Sequence, residues 1–116
     1  MPKTYVIDID HTICIPQKFD DTERRYAQAE PIMEMIEAIR KIYHRGDTVI
    51  LHTARRMLTH RGDLHKIEED VGAVTRDWLE KYQVPYDQLI FGKPYGDFYI
   101  DDKAVLPHDF ITEQQP

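Results

Sequence analysis

Asp8 and Asp10 stand at the end of an apolar run, YVIDID. An unpaired buried carboxylate is too costly for a core, so the pair belongs at the open end of a buried strand. Thr53 closes a second run, TVILHT, with Arg55 and Arg56 just beyond it. Lys93 follows a third, LIF, and Asp101 and Asp102 follow a fourth, FYI. These types suit phosphoryl chemistry. Phosphate-monoester hydrolysis is among the slowest uncatalysed reactions, and a carboxylate nucleophile splits it into two easier steps through an aspartyl-phosphate. A second carboxylate two residues on lies on the same side of an extended segment. It suits a general acid that protonates the leaving alkoxide and then a base that activates water. The Thr53 hydroxyl and the Lys93 ammonium suit the phosphoryl oxygens, where preorganised donors matter most. Asp101 and Asp102 suit Mg²⁺, a hard cation that takes one or two carboxylates plus a substrate phosphate oxygen.

Each signal is weak alone. Thirteen aspartates make a D-x-D pair expected from composition. A threonine ending a strand reflects β-propensity, a lysine before Pro94 is ordinarily a solvated loop residue, and the acid pair before Lys103 reads as a turn. The conjunction is what counts: four distinct groups at four successive strand ends, in the order the chemistry requires.

The elements that must position them follow from periodicity. Residues 4–9 read as a buried strand. Residues 15–29 are polar and irregular and read as a loop over one face. Pro31 opens a helix, with Ile32, Ile36, Ile39 and Tyr43 at helical spacing, Met35 and Ile42 widening the face, and Gly46 stopping it. Residues 48–53 form the second strand. Residues 55–70 show no clean period and read as a long connection of the kind often functional. Val71, Val74, Trp78, Leu79 and Tyr82 line a second helix, and residues 89–91 and 98–100 are short third and fourth strands. This order predicts an α/β fold, a Rossmann-like three-layer sandwich with a mostly parallel central sheet. Ligands in such sheets bind beyond the carboxyl ends of the strands.

A chain of 116 residues, 41% hydrophobic and 31% charged, is expected to form a single domain over residues 1–116. The net charge of −6 argues against non-specific nucleic-acid binding. The charge is uneven: between Arg40 and Lys66 seven Lys/Arg face only Asp47 and Asp63, and between Asp97 and Glu113 five acids face only Lys103. A basic loop to meet an anion and an acidic end to meet a cation would look like this. Cys14, the single cysteine, excludes an internal disulfide and reads as a small buried residue. No signal-peptide pattern and no membrane-length apolar stretch is present, so a cytoplasmic protein is expected.

With those motifs in hand, DIDHT, the Thr of ILHTARR, the Lys of FGKP and YIDD resemble the four motifs of haloacid dehalogenase-superfamily phosphatases over nearly the full chain. The combination HTARR, WL, VPYD, FGKP and FYIDDKA resembles the small uncapped capsule-biosynthesis phosphatase family within it. The resemblance implies a minimal uncapped fold and Mg²⁺-dependent phosphatase activity. Asp8 would be the nucleophile and Asp10 the acid/base. The metal would be held by the Asp8 side chain, the Asp10 backbone carbonyl and Asp101, with Asp102 acting directly or through water. Thr53 and Lys93 would bind phosphate, and Arg55 is a candidate substrate contact whose bland counterpart is a carboxylate-paired arginine. Where the superfamily commonly has Gly or Asn, this chain has His11, a residue type tolerated at positive φ. Without a cap, the open site admits a large substrate or is partly covered by a neighbouring subunit in a homo-oligomer.

The expected substrate is a sugar phosphate or related small metabolite. The alternative is a nucleotide or a polynucleotide 3′-phosphate, disfavoured by the acidic charge and by a lack of stacking aromatics near the strand ends. A receiver-like phosphoacceptor domain carries similar groups, but its phosphoacceptor aspartate ends the middle strand, where TVILHT has none.

Overall fold

The computed structural model describes all residues, 1–116. Strand β1 (Thr4–Ile7) leads the chain. Its β-branched and aromatic residues suit an extended backbone. A short pair follows, β2 (Cys14–Ile15) and β3 (Glu30–Pro31), with helix α1 (Thr22–Ala27) between them. Helix α2 (Met33–His44), strand β4 (Thr48–Thr53), and the short helices α3 (Met57–His60) and α4 (Leu64–Ile67) come next. A wide π turn at Glu68–Gly72 runs into α5 (Ala73–Lys81). Strand β5 (Gln88–Phe91) and helix α6 (Pro107–Glu113) complete the chain.

The fold is α/β and Rossmann-like: a parallel sheet of order β1-β4-β5 flanked by helices. Ile7 lies opposite Leu51, and Thr53 opposite Phe91. This register puts the carboxyl ends of all three strands on one edge of the molecule. Parallel neighbours need crossovers, which α2 and α5 supply. Ile7, Val49 and Leu51 face a core built with Ile36, Ile39 and Ile42 of α2, Trp78 and Leu79 of α5, and Phe110 of α6. The opposite face of the sheet carries Val6 and Ile90, both exposed, and Ile50 and His52, both half-buried. No helix is long and apolar enough to cross a membrane.

Several sequence expectations need correction. Pro31 does not open α2. Ile32 N–H donates to Ile13 O at 2.8 Å, which holds this stretch extended, and the helix starts at Met33. Its end is as expected: Gly46 takes φ 102° and Asp47 N–H returns to Ile42 O. Residues 15–29 are not simply a loop, since α1 is capped there by Asp21, whose side chain accepts from Glu23 N–H at 3.0 Å. Residues 55–70 are mostly helical. They show no single period because left-handed Arg56 and Arg61, φ 60° and 52°, break them into short pieces.

The fourth strand is absent. Residues 98–100 pair with nothing, Phe98 is 84% and Ile100 98% exposed, and the outer edge of β1 is open. Local bonds take their place. Tyr99 Oη donates to Pro94 O at 2.7 Å and accepts from Gly96 N–H, while Lys103 N–H donates to the Asp101 carboxylate at 2.9 Å. The segment closes on itself instead of on the sheet.

Candidate active site

Beyond the end of β1 the backbone curls tightly. Thr12 and Ile13 N–H groups both reach back to Ile9 O, and His11 sits at φ 63°, the left-handed conformation its position requires. This turn directs Asp8 and Asp10 into a crevice of about 500 Å³ at the carboxyl edge of the sheet. Lys93 enters the same crevice from the end of β5. Its N–H donates to Thr53 O at 3.1 Å, and its Nζ lies 3.5 Å from Asp8 Oδ1. Asp8 stays one-third exposed, and its other oxygen accepts from the Thr12 hydroxyl at 3.5 Å.

Asp10 is held differently. Arg55, only 3% exposed, donates from Nη2 to Asp10 Oδ1 at 2.8 Å and from Nε to both oxygens at 3.1 Å. The far nitrogen, Nη1, donates to the buried Thr75 hydroxyl at 2.9 Å, and the guanidinium lies 4.2 Å from the centre of the Tyr26 ring. A planar fork bound on one side and stacked on a ring has few other orientations. Burial opposes the charge of Arg55, but the Asp10 carboxylate more than offsets this and raises Arg55 above its ordinary range. Burial likewise pushes the neighbouring Cys14 thiol up to about 12 and Tyr26 above its usual value. Arg55 therefore occupies the carboxylate-paired position and is not an open substrate contact.

The remaining candidates separate. Thr53 is fully buried, and its hydroxyl accepts the Arg55 backbone N–H at 3.1 Å without lining the crevice. Asp101 and Asp102 are exposed and lie outside the crevice. The Lys103 backbone N–H, with help from Asp102, holds the Asp101 carboxyl below its usual range. No group of three His, Cys, Asp or Glu side chains is close enough to hold a metal ion. The strand that was to carry the late acids is not added to the sheet, so Asp101 and Asp102 do not line the crevice that holds Asp8 and Asp10.

Other crevice residues were not foreseen. Tyr26, Tyr95 and Tyr99 line it, correcting the expectation that aromatics are missing near the strand ends. Lys93 Nζ stands 4.2 Å over the Tyr99 ring. Arg56 lines it too, held by Asp70 at 3.0 Å, which His60 also contacts at 2.8 Å. Tyr26 and Thr75 are far in sequence from Asp10 and Arg55, and no spacing rule links them. Tyr95 and Tyr99 belong to the PYGDFY stretch next to Lys93, and that proximity was the available signal.

Comparison with solved structures gives the family. A crystal structure of an MCSG target from Vibrio cholerae matches with a TM-score of 0.84 and 35% identity over 95% of this chain and 88% of that one. The chain belongs to the family of that Vibrio protein. Two structures of a Pnkp1/Rnl/Hen1 complex, one described as an RNA repair complex, match with TM-scores of 0.60 and 0.56 at 21% and 18% identity. They show a shared fold, and this chain spans less than a third of theirs, 31% and 30%. No family profile matches the sequence, and no curated protein matches it.

Proposed function

We propose that the protein is a phosphomonoester hydrolase of haloacid dehalogenase type that works through an aspartyl-phosphate on Asp8. The observation that carries this reading is the division of labour between two carboxylates in one crevice. Asp8 is accessible and faces the Lys93 ammonium, whereas Asp10 is locked in place by a buried arginine. An accessible, charge-paired carboxylate suits attack on phosphorus. A fixed carboxylate beside it suits proton transfer.

In the first step an Asp8 oxygen forms a bond to phosphorus, the bond from phosphorus to the leaving oxygen breaks, and Asp10 gives that oxygen a proton. In the second, water loses a proton to Asp10 and attacks the same phosphorus, which releases phosphate and restores Asp8. Lys93 offsets the repulsion between the anionic nucleophile and the anionic substrate. Asp10 Oδ2 has a single contact, from Arg55 Nε, and is the oxygen left to carry the proton. Thr53 acts by positioning: its hydroxyl accepts the Arg55 backbone N–H and its carbonyl accepts that of Lys93.

A sugar phosphate or related small metabolite is the first substrate class. A nucleotide or a 3′-phosphorylated polynucleotide end is a second reading, favoured by Tyr95 and Tyr99 as stacking surfaces and by the cations Arg25 and Arg56 around the crevice. The test is hydrolysis of an aryl phosphate with Mg²⁺ supplied, followed by a panel of sugar phosphates, nucleotides and 3′-phosphorylated DNA. Slow turnover is expected, lost on chelation of the cation and in Asp8→Asn, and greatly reduced in Asp10→Asn. Undiminished turnover in Asp8→Asn removes the proposed nucleophile.

A further inference from the structure

The sheet has an open edge at β1, and Val6 on that strand is 63% exposed. The segment that stands off the sheet, residues 97–106, exposes Phe98, Ile100, Val105 and Leu106. Open edges and contiguous exposed apolar side chains are liabilities in a monomer and mark surfaces that pair. The two features match in sequence. β1 enters the site as Tyr5-Val6-Ile7-Asp8, and the exposed segment reads Phe98-Tyr99-Ile100-Asp101. Aligned in parallel, the two stretches place aromatic beside aromatic, isoleucine beside isoleucine and aspartate beside aspartate.

Within one copy the segment is closed on itself by Tyr99 and Asp101, as described above, and its acids miss the crevice. We propose that residues 98–101 add as a parallel strand to the open β1 edge of a second copy, and reciprocally, so that Asp101 of each copy stands beside Asp8 of the other. This rests on the reading of Asp8 as the nucleophile. Neighbouring strands lie roughly 4.8 Å apart, so the exchange brings a further carboxylate within reach of a cation shared with Asp8. The acidic segment also moves toward a crevice with more cations than carboxylates, Arg25, Arg55, Arg56 and Lys93 against Asp8 and Asp10. A standard interface buries roughly 800 Å² per partner. An aromatic side chain buries roughly 150–250 Å², so Phe98 and Tyr99 with the aliphatic side chains of the segment and Val6 supply area of that order. Reciprocal exchange gives a closed two-fold dimer.

The test uses two differently tagged full-length copies produced together, one Val6→Cys and one Tyr99→Cys, which this register sets side by side on one face of the sheet, treated with a short thiol cross-linker; Cys14 is buried and stays unreacted. A covalent product carrying both tags and a dimeric mass in solution are expected. A second pair, Asp8→Asn with Asp101→Asn, is inactive singly and recovers about one quarter of wild-type turnover when produced together. That value follows because half of the dimers are mixed and each holds one intact site. A monomeric mass with no doubly tagged product overturns the exchange, as does an inactive mixture alongside an active wild type. Wild-type protein without phosphatase activity overturns the function instead, and the cross-link still decides the exchange.

Discussion

Asp8 and Asp10 differ in partner more than in position. One is a third exposed and faces an ammonium. The other takes a buried guanidinium whose remaining donors are used by Thr75 and Cys14. Arg55→Ala leaves a carboxylate without its counter-ion, and breaking such pairs costs about 3–5 kcal/mol. A fall in stability toward that size is expected from urea unfolding, together with a drop in turnover. Arg55→Lys keeps the charge and loses the fork, so it is expected to recover part of the stability while turnover stays low. Equal recovery of both would show that charge alone matters. The two aspartates, Lys93 and the left-handed His11 were legible because each lies at the end of a readable strand. The partners of Arg55 were not, since Tyr26 and Thr75 reach it only through the packing of α1 against α5.

The elements show the same division. The α2 stripe and β4 were readable because long periodic segments carry their own signal. The segment 98–100 was read as a strand from composition, yet strand formation needs a partner edge, and its local bonds hold it away. The turn between α2 and β4 has its own lock. Asp47 accepts the Lys3 backbone N–H at 2.9 Å and pairs with Arg45 at 2.6 Å, tying the start of β1 to the sheet. The Lys3 N–H first, and then Arg45, hold the Asp47 carboxyl below its usual range. A carboxyl lowered on folding stabilises the native state above its ordinary value near 4, and that contribution disappears as pH falls through the lowered folded value. Asp47→Asn is therefore expected to reduce the urea midpoint at pH 6 and to differ little from wild type near pH 2.5. A constant gap across that range would mean that the carboxylate's charge is not the source.

At the scale of the molecule, the radius of gyration is 14.1 Å, against about 13 Å for a compact chain of this length. The excess fits an exposed segment standing off the sheet. An exposed side chain in a monomer changes stability by no more than about 0.5 kcal/mol when replaced. With reciprocal exchange, Ile100→Ser is expected to lower the unfolding midpoint by more than that and to weaken its dependence on protein concentration. An unmoved, concentration-independent midpoint would show that Ile100 stays in water. The sequence could not reveal this, because a run of apolar residues looks the same whether its own sheet or a second copy covers it.

The account as a whole turns on which atom receives the phosphoryl group. Rapid quenching of the enzyme during turnover of an aryl phosphate, reduction of acyl phosphates with borohydride and peptide mass spectrometry would read that atom directly. Conversion of Asp8 to homoserine, dependent on substrate and absent in Asp8→Asn, is the predicted result. Reduction at another carboxylate while Asp8 stays intact would contradict it.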